Sequence, residues 1–305
     1  MADLSARIGS LCLKNPVTVA SGTFGYGLEF AEFYDPSILG AIFLKGLTLL
    51  PRAGNEIPRL VETPSGLINS IGLQNIGIDE FAARKWRELE DIDSAICVNI
   101  SGTTVGEYEE LADRASRVPI VRAIEVNVSC PNISHGGVEF GRTPAMVREI
   151  TAKCAAASRV PVLVKLTPNI SDIVEIAAAA MEAGAAGVTL VNTFLAMAID
   201  AEKRRPVLSN VMGGLSGPAI KPIALRMVWQ VWRALRCPII GMGGIMTGTD
   251  AIEFMLAGAS AISVGTANFV NPAAGRDILS EIGGYCERHG INRVSELIGA
   301  AHHDK

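Results

Sequence analysis

Short runs rich in Val and Ile recur along the chain at 17–21, 41–45, 95–99, 122–128, 161–165, 187–191, 238–242 and 261–265. Each is bounded by Gly, Pro or Asn and followed by a stretch with helical spacing, the rhythm of a parallel sheet whose strands are joined by helices. Eight such runs predict an α/β fold closed into a (β/α)8 TIM barrel. One helix shows the pattern in full. Ser171 is the expected N-cap, Asp172 lies in the first turn, Ile173, Ile176, Ala177 and Ala180 repeat at i, i+3, i+4 and i+7, and Gly184 stops the run. Amphipathic windows near 79–90, 105–116, 144–157, 219–235, 248–257 and 273–288 fit the remaining intervals.

Two connections exceed a simple βα loop: residues 46–78, rich in Pro and Gly, and residues 192–218, which carry Lys203, Arg204, Arg205 and the pair Gly213-Gly214. Long connections in compact folds are usually lids or binding loops, here insertions at the C-terminal face of the barrel. No composition shift divides the chain, so residues 1–305 are expected to form one domain.

Composition narrows the function more than the fold. The 305 residues are 49% hydrophobic and 19% charged, as in a folded globular protein. Lys plus Arg (27) against Asp plus Glu (31) gives a net charge of −4, which argues against a nucleic-acid or anionic-membrane partner. Cys12, Cys97, Cys130, Cys154, Cys237 and Cys286 form no CxxC pair, and the histidines are only His135, His289, His302 and His303, the last two in a polar tail. Reduced thiols in the cytoplasm, with no zinc or iron–sulfur site in this chain, are the expectation. Neither a signal peptide nor a membrane span is indicated.

Candidate chemistry sits at the ends of the apolar runs. Lys45 and Lys165 each close one; Asn99 and Asn192 end two others, and Asn127 lies inside a further one. A single such residue is ordinarily a capping or snorkelling side chain, but five at the C-terminal ends of barrel strands share one rim. Amides and ammonium groups together suit a flat, polar, partly anionic heterocycle. Motifs for a hydrolase elbow, a P-loop or HExxH are missing from the sequence. The last two runs pass directly into glycines, Gly241-Met242-Gly243-Gly244 and Gly265-Thr266, and bare amides after strands 7 and 8 of such a barrel are a common phosphate site. Met246 stands where a dinucleotide fingerprint needs its third glycine. Cys130, in Asn127-Val128-Ser129-Cys130-Pro131-Asn132, begins a segment running through His135-Gly136-Gly137 that reads as a lid; its thiol could act as base or nucleophile. Cys97, Cys154 and Cys237 lie in or beside apolar runs and read as packing.

The run from Asn127 to Asn132, Asn69-Ser70-Ile71-Gly72-Leu73-Gln74-Asn75, Gly213-Gly214-Leu215-Ser216-Gly217-Pro218-Ala219-Ile220-Lys221-Pro222 and Gly241-Met242-Gly243-Gly244-Ile245 together resemble the class 1 dihydroorotate dehydrogenases over nearly the whole chain. The resemblance implies an FMN-containing barrel that oxidises dihydroorotate to orotate in pyrimidine biosynthesis. It makes Cys130 the base for the C5 proton while C6 delivers hydride to flavin N5. Lys45, Asn69, Ser70, Ile71, Gly72, Leu73, Asn127, Asn192 and Thr193 become substrate contacts. Ser21, Gly22, Lys45, Gly46, Asn99, Asn127, Lys165 and Val191 become flavin-ring and ribityl contacts, with Gly217, Gly243, Gly244, Gly265 and Thr266 at the phosphate end.

Gln74, where fumarate-reducing class 1A homodimers usually have proline, together with Lys203, Arg204, Arg205 and Pro206, resembles class 1B. That subclass implies a separate electron-transfer subunit carrying FAD and a 2Fe-2S cluster, NAD as final acceptor, and a heterotetramer of two catalytic and two electron-transfer chains in the cytoplasm. A class 1A-like homodimer and a flavin barrel of the dihydropyrimidine dehydrogenase type are the nearest alternatives. A barrel binding a phosphorylated metabolite without redox chemistry is the alternative from another class.

Overall fold

The structure is a computed structural model that describes residues 2–129, 131–132 and 138–302. Its centre is a closed barrel of eight parallel strands: β1 Val17–Val19, β2 Ala41–Phe43, β3 Ala95–Ile100, β4 Val121–Asn127, β5 Val162–Lys165, β6 Gly187–Leu190, β7 Ile239–Met242 and β8 Ala261–Val264. All eight coincide with the predicted runs. They are mostly apolar because helices cover one face and the barrel interior the other, Glu125 and the polar residues at the strand tips being exceptions.

The helices are α1 Gly77–Ala83, α2 Val105–Ser116, α3 Pro144–Ala157, α4 Ile173–Glu182, α5 Lys221–Leu235, α6 Gly248–Leu256, α7 Ala267–Val270 and α8 Ala274–Arg288. The starts follow local chemistry. Thr104 caps α2 by accepting from the Glu107 amide, and Thr143 caps α3 ahead of Pro144. Thr247 and Asp250 form a reciprocal capping box on α6. Three expectations need correction. The window at 79–90 is α1 followed by a separate 3-10 turn, Lys85–Leu89. The cap of α4 is Asp172, whose Oδ1 accepts from the amides of Val174 and Glu175, rather than Ser171. His302 is not loose in a polar tail: its ring stacks on Trp229 at 3.5 Å between centroids, and Nε2 lies 3.0 Å from the Ala257 carbonyl.

An N-terminal hairpin, Ala6–Ile8 paired with Leu11–Leu13, closes the lower end of the barrel. Ala6, Ile8, Leu11 and Leu13 pack there on Phe43, Cys97, Ala123, Leu163, Ile240 and Ala261, which form an apolar floor. At the opposite end the two long connections are not irregular loops. Leu60–Thr63 and Gly66–Asn69 from the first pair with Met212–Ser216 and Phe194–Met197 from the second in a four-stranded antiparallel sheet. That sheet stands on the rim where the candidate chemistry lies. No described helix is long and apolar enough to cross a membrane.

Candidate active site

Successive side chains of a strand face opposite sides, so residues two apart climb the same wall. On β3 the inward positions rise from Cys97 to Asn99; on β4 from Ala123 through Glu125 to Asn127; on β5 from Leu163 to Lys165. The interior therefore changes from an apolar floor to a polar rim within two steps. Above the rim opens a cavity of about 640 Å³.

This cavity gathers every candidate residue that the structure describes. Ser21, Gly22, Lys45, Gly46, Asn99, Asn127, Lys165, Val191, Asn192 and Thr193 line it from the strand tips, and Asn69, Ser70, Ile71, Gly72 and Leu73 from the antiparallel sheet and the turn after it. Gly217, Gly243, Gly244, Gly265 and Thr266 line it from the β6–α5, β7–α6 and β8–α7 connections. Cys130, and His135, Gly136 and Gly137 of the suggested lid, lie outside the described residues; Ser129, the neighbour of Cys130, lines the cavity.

The polar side chains are braced by one another. Asn192 Nδ2 donates to Asn127 Oδ1 at 3.2 Å, and the same oxygen accepts from the Ser129 amide at 3.2 Å. The Tyr108 hydroxyl, fully buried on α2, donates to the Asn127 carbonyl at 2.7 Å. Asn69 Nδ2 donates to the Gly214 carbonyl across the two long connections. Residues 213 and 214 must be glycine for that approach: a Cβ on Gly213 would lie 2.5 Å from the Asn69 carbonyl oxygen, and one on Gly214 would lie 1.9 Å from Thr193 Oγ1.

Lys45 and Lys165 supply positive charge with no carboxylate in salt-bridge range of either among the described residues. Lys165 is only 6% exposed. Burial holds the Lys45 ammonium below its ordinary pKa, and the like charges of Lys165 and then Arg59 push the same way. An uncompensated cation pair at a cavity wall is costly in isolation and favourable once an anion arrives. At the other end, Gly217, Gly243 and Gly244 have positive φ of 92°, 122° and 74°. A Cβ on Gly244 would sit 2.8 Å from the Gly217 carbonyl oxygen, so these two connections meet backbone to backbone. Gly265 is different: a Cβ there would meet only Ala20 Cβ, at 3.7 Å.

Sequence reasoning passed over further wall residues. Asn55 donates through Nδ2 to the Ser70 carbonyl and hydroxyl at 3.0 Å, and Asn169 holds Thr167 Oγ1, the Thr193 carbonyl and the Leu195 amide. Both lie in connections, where strand parity gives no signal. Glu125 carried one: a charged residue inside an apolar run, in step with Asn127.

A (β/α)8 barrel with amides and cations at one end of its mouth and converging glycines at the other has the arrangement of an enzyme's ligand cavity, with a chemistry that suits a planar, anionic, phosphate-bearing ligand. The family model described as dihydroorotate dehydrogenase matches residues 3–285. The chain is 54% identical to a protein of Geobacter sulfurreducens and 53% identical to one of Geotalea daltonii, each alignment covering 98% of both chains. It is 54% identical to one of Desulforamulus reducens over 98% of this chain and 99% of the other. All three relatives are named dihydroorotate dehydrogenase B (NAD(+)), catalytic subunit. The chain belongs to the dihydroorotate dehydrogenase family.

Proposed function

We propose that this chain is the flavin-bearing catalytic subunit of an NAD-linked dihydroorotate dehydrogenase, oxidising (S)-dihydroorotate to orotate in de novo pyrimidine (UMP) biosynthesis. The carrying observation is that one cavity joins the Lys45–Lys165 cation pair and its amide set to the glycine convergence. The donor set fits FMN: the glycines would hold the phosphate through bare amides, while Ser21, Gly22, Lys45, Gly46, Asn99, Asn127, Lys165 and Val191 would face the ring and ribityl chain. When bound, FMN supplies at N5 the acceptor for the hydride that leaves C6.

The remaining work belongs to side chains. Cys130, next to the cavity residue Ser129, takes the C5 proton as its thiolate, so the C5–H electrons form the C5=C6 double bond. Lys45, Asn127, Asn192, Thr193 and the Asn69–Leu73 turn hold the substrate ring and its carboxylate. Lys165 would stabilise negative charge on the bound flavin ring.

A second chain carrying FAD and a 2Fe-2S cluster would pass the electrons on to NAD, in a cytoplasmic assembly of two catalytic and two electron-transfer chains. The relatives' designation as catalytic subunits of an NAD(+) enzyme supports this division. The first test is the anaerobic visible spectrum of the purified chain before and after dihydroorotate. A flavin band that bleaches, with NAD reduced only after the partner is added, is the expected result. A band that dihydroorotate leaves unchanged would overturn the substrate, and NAD reduction by the chain alone would overturn the subunit scheme.

A further inference from the structure

Among the described residues, Glu125 and Lys165 are the only acidic or basic side chains withdrawn almost wholly from solvent, at 2% and 6% exposed. Lys165 reaches the cavity. Glu125 does not line it and has no part in the chemistry above. It occupies the middle step of the β4 wall, between Ala123 of the apolar floor and Asn127 of the rim. Its register partner on β3 is Asn99, and Asn99 Nδ2 donates to Glu125 Oε2 at 2.7 Å. Burial of Cys97 raises its thiol pKa, and the Glu125 carboxyl adds to the rise, which sets the carboxyl deep in the barrel.

A carboxyl group sequestered from water is expensive unless its hydrogen bonds are made, so its position asks for a compensating role. The chemistry of asparagine supplies one. The two ends of its amide are nearly identical in shape and opposite in character, and either could face the cavity. The Glu125 oxygen accepts from Nδ2, so that end of the amide is the one turned toward Glu125. The Oδ1 end then faces the cavity wall at Gly46, where a Cβ would lie 2.7 Å from it. Asn99 is itself 2% exposed, which leaves little room for water to substitute as partner.

We propose that Glu125 is a positioning residue: it locks the Asn99 amide so that a carbonyl acceptor, never an NH2 donor, is presented to the ligand. The lock selects ring edges that offer an N–H at that point, such as the imide N–H of a flavin, against edges that offer a bare carbonyl or ring nitrogen. The proposal rests on the FMN reading above and concerns a residue which that reading leaves unused.

The test is a double-mutant cycle read by FMN titration of the apoprotein. Glu125→Leu, close in volume but without an acceptor, should raise the FMN dissociation constant about tenfold or more, since a buried amide has lost its partner. Glu125→Gln offers Asn99 either an acceptor or a donor, so the amide keeps a partner but is no longer fixed in one orientation, and its effect should fall between wild type and Glu125→Leu. In an Asn99→Ala background, Glu125→Leu should change almost nothing, because the effect travels through Asn99. Should Glu125→Leu fail to fold, Glu125→Asp, which draws the oxygens back by one methylene, carries the same cycle. An equal effect of the acidic-site variant with and without Asn99, or no effect in either background, overturns the proposal and leaves the FMN reading intact. A wild-type chain with no affinity for FMN overturns both.

Discussion

Gly265→Ala separates cofactor binding from folding at the phosphate end of the cavity. The added methyl would meet only Ala20 Cβ, at the ordinary contact distance of 3.7 Å, and Gly265 is not among the positive-φ glycines. Replacing glycine at a permissive position stabilises by about 0.4–1 kcal/mol, by restricting the unfolded chain. For a protein above about 150 residues this raises Tm by roughly 1–4 °C. The same methyl has nothing else within 4 Å, and Gly265 lines the cavity, so a ligand seated there would meet it. Displacing one charge-assisted hydrogen bond to a phosphate there costs about 1.5–3 kcal/mol, roughly tenfold to a hundredfold in the FMN dissociation constant.

Gly244→Ala is the contrast: with φ at +74° and its Cβ 2.8 Å from the Gly217 carbonyl oxygen, the substitution strains the backbone itself. Thermal melts and FMN fluorescence titrations on both variants decide the matter. Gly265→Ala should hold or slightly raise its Tm while binding FMN about tenfold to a hundredfold more weakly, whereas Gly244→Ala should lose both stability and FMN affinity. Wild-type FMN affinity in a stably folded Gly265→Ala protein would refute the assignment of this connection to the phosphate.

Three further outcomes are expected. Cys130→Ala should retain bound FMN but slow anaerobic flavin reduction by dihydroorotate about 100-fold or more, measured by stopped flow, because proton abstraction loses its base; a near-normal rate would remove Cys130 from the mechanism. Lys45 has its pKa lowered in the folded chain, so its charge is full below that value and disappears as pH rises through it, before the ordinary 10.5 is reached. Orotate binding should therefore weaken with rising pH across that window, by at most about tenfold per pH unit, and isothermal titration of Lys45→Gln should show the alkaline limb flattened; an unchanged limb would point to another group. Lys165→Ala should impair flavin binding or reduction far more than Lys153→Ala, whose exposed ammonium pairs with Glu109 at 3.4 Å, and equal behaviour of the two would refute the placement of Lys165 against the ring.

The barrel was legible because its strands are short, mostly apolar and punctuated, and because parity along a strand carries directly into which wall a residue climbs. Lys45, Asn99, Asn127, Lys165 and Asn192 could be grouped from strand ends alone for that reason. The antiparallel sheet over the rim escaped the same reading. Its strands are only four or five residues long, and the pairing of Asn69 with Gly214 joins segments 145 residues apart, so no local period announces it. The N-terminal hairpin was hidden similarly: three residues per strand leave only a buried–exposed–buried alternation. At α4 two adjacent residues, Ser171 and Asp172, both suit a cap, and only backbone geometry chooses between them.

The polar step inside the barrel explains why site and scaffold can change independently. Floor positions such as Leu163 and Ala123 contact the N-terminal hairpin's apolar cluster and nothing in the cavity. Two residues further along the same strands stand the buried charged residues Lys165, which lines the cavity, and Glu125, which holds Asn99. Charge is concentrated where it is least tolerable for folding and most useful for an anionic ring, because a cation in a dry wall acts through a low dielectric. The antiparallel sheet completes that arrangement: by lowering Asn69 and the Gly72-Leu73 turn onto the strand tips, it turns an open barrel mouth into a walled cavity. Recognition in this chain therefore depends on contacts between segments distant in sequence as much as on the strand tips themselves, and the glycines at 213 and 214 are the price of that approach.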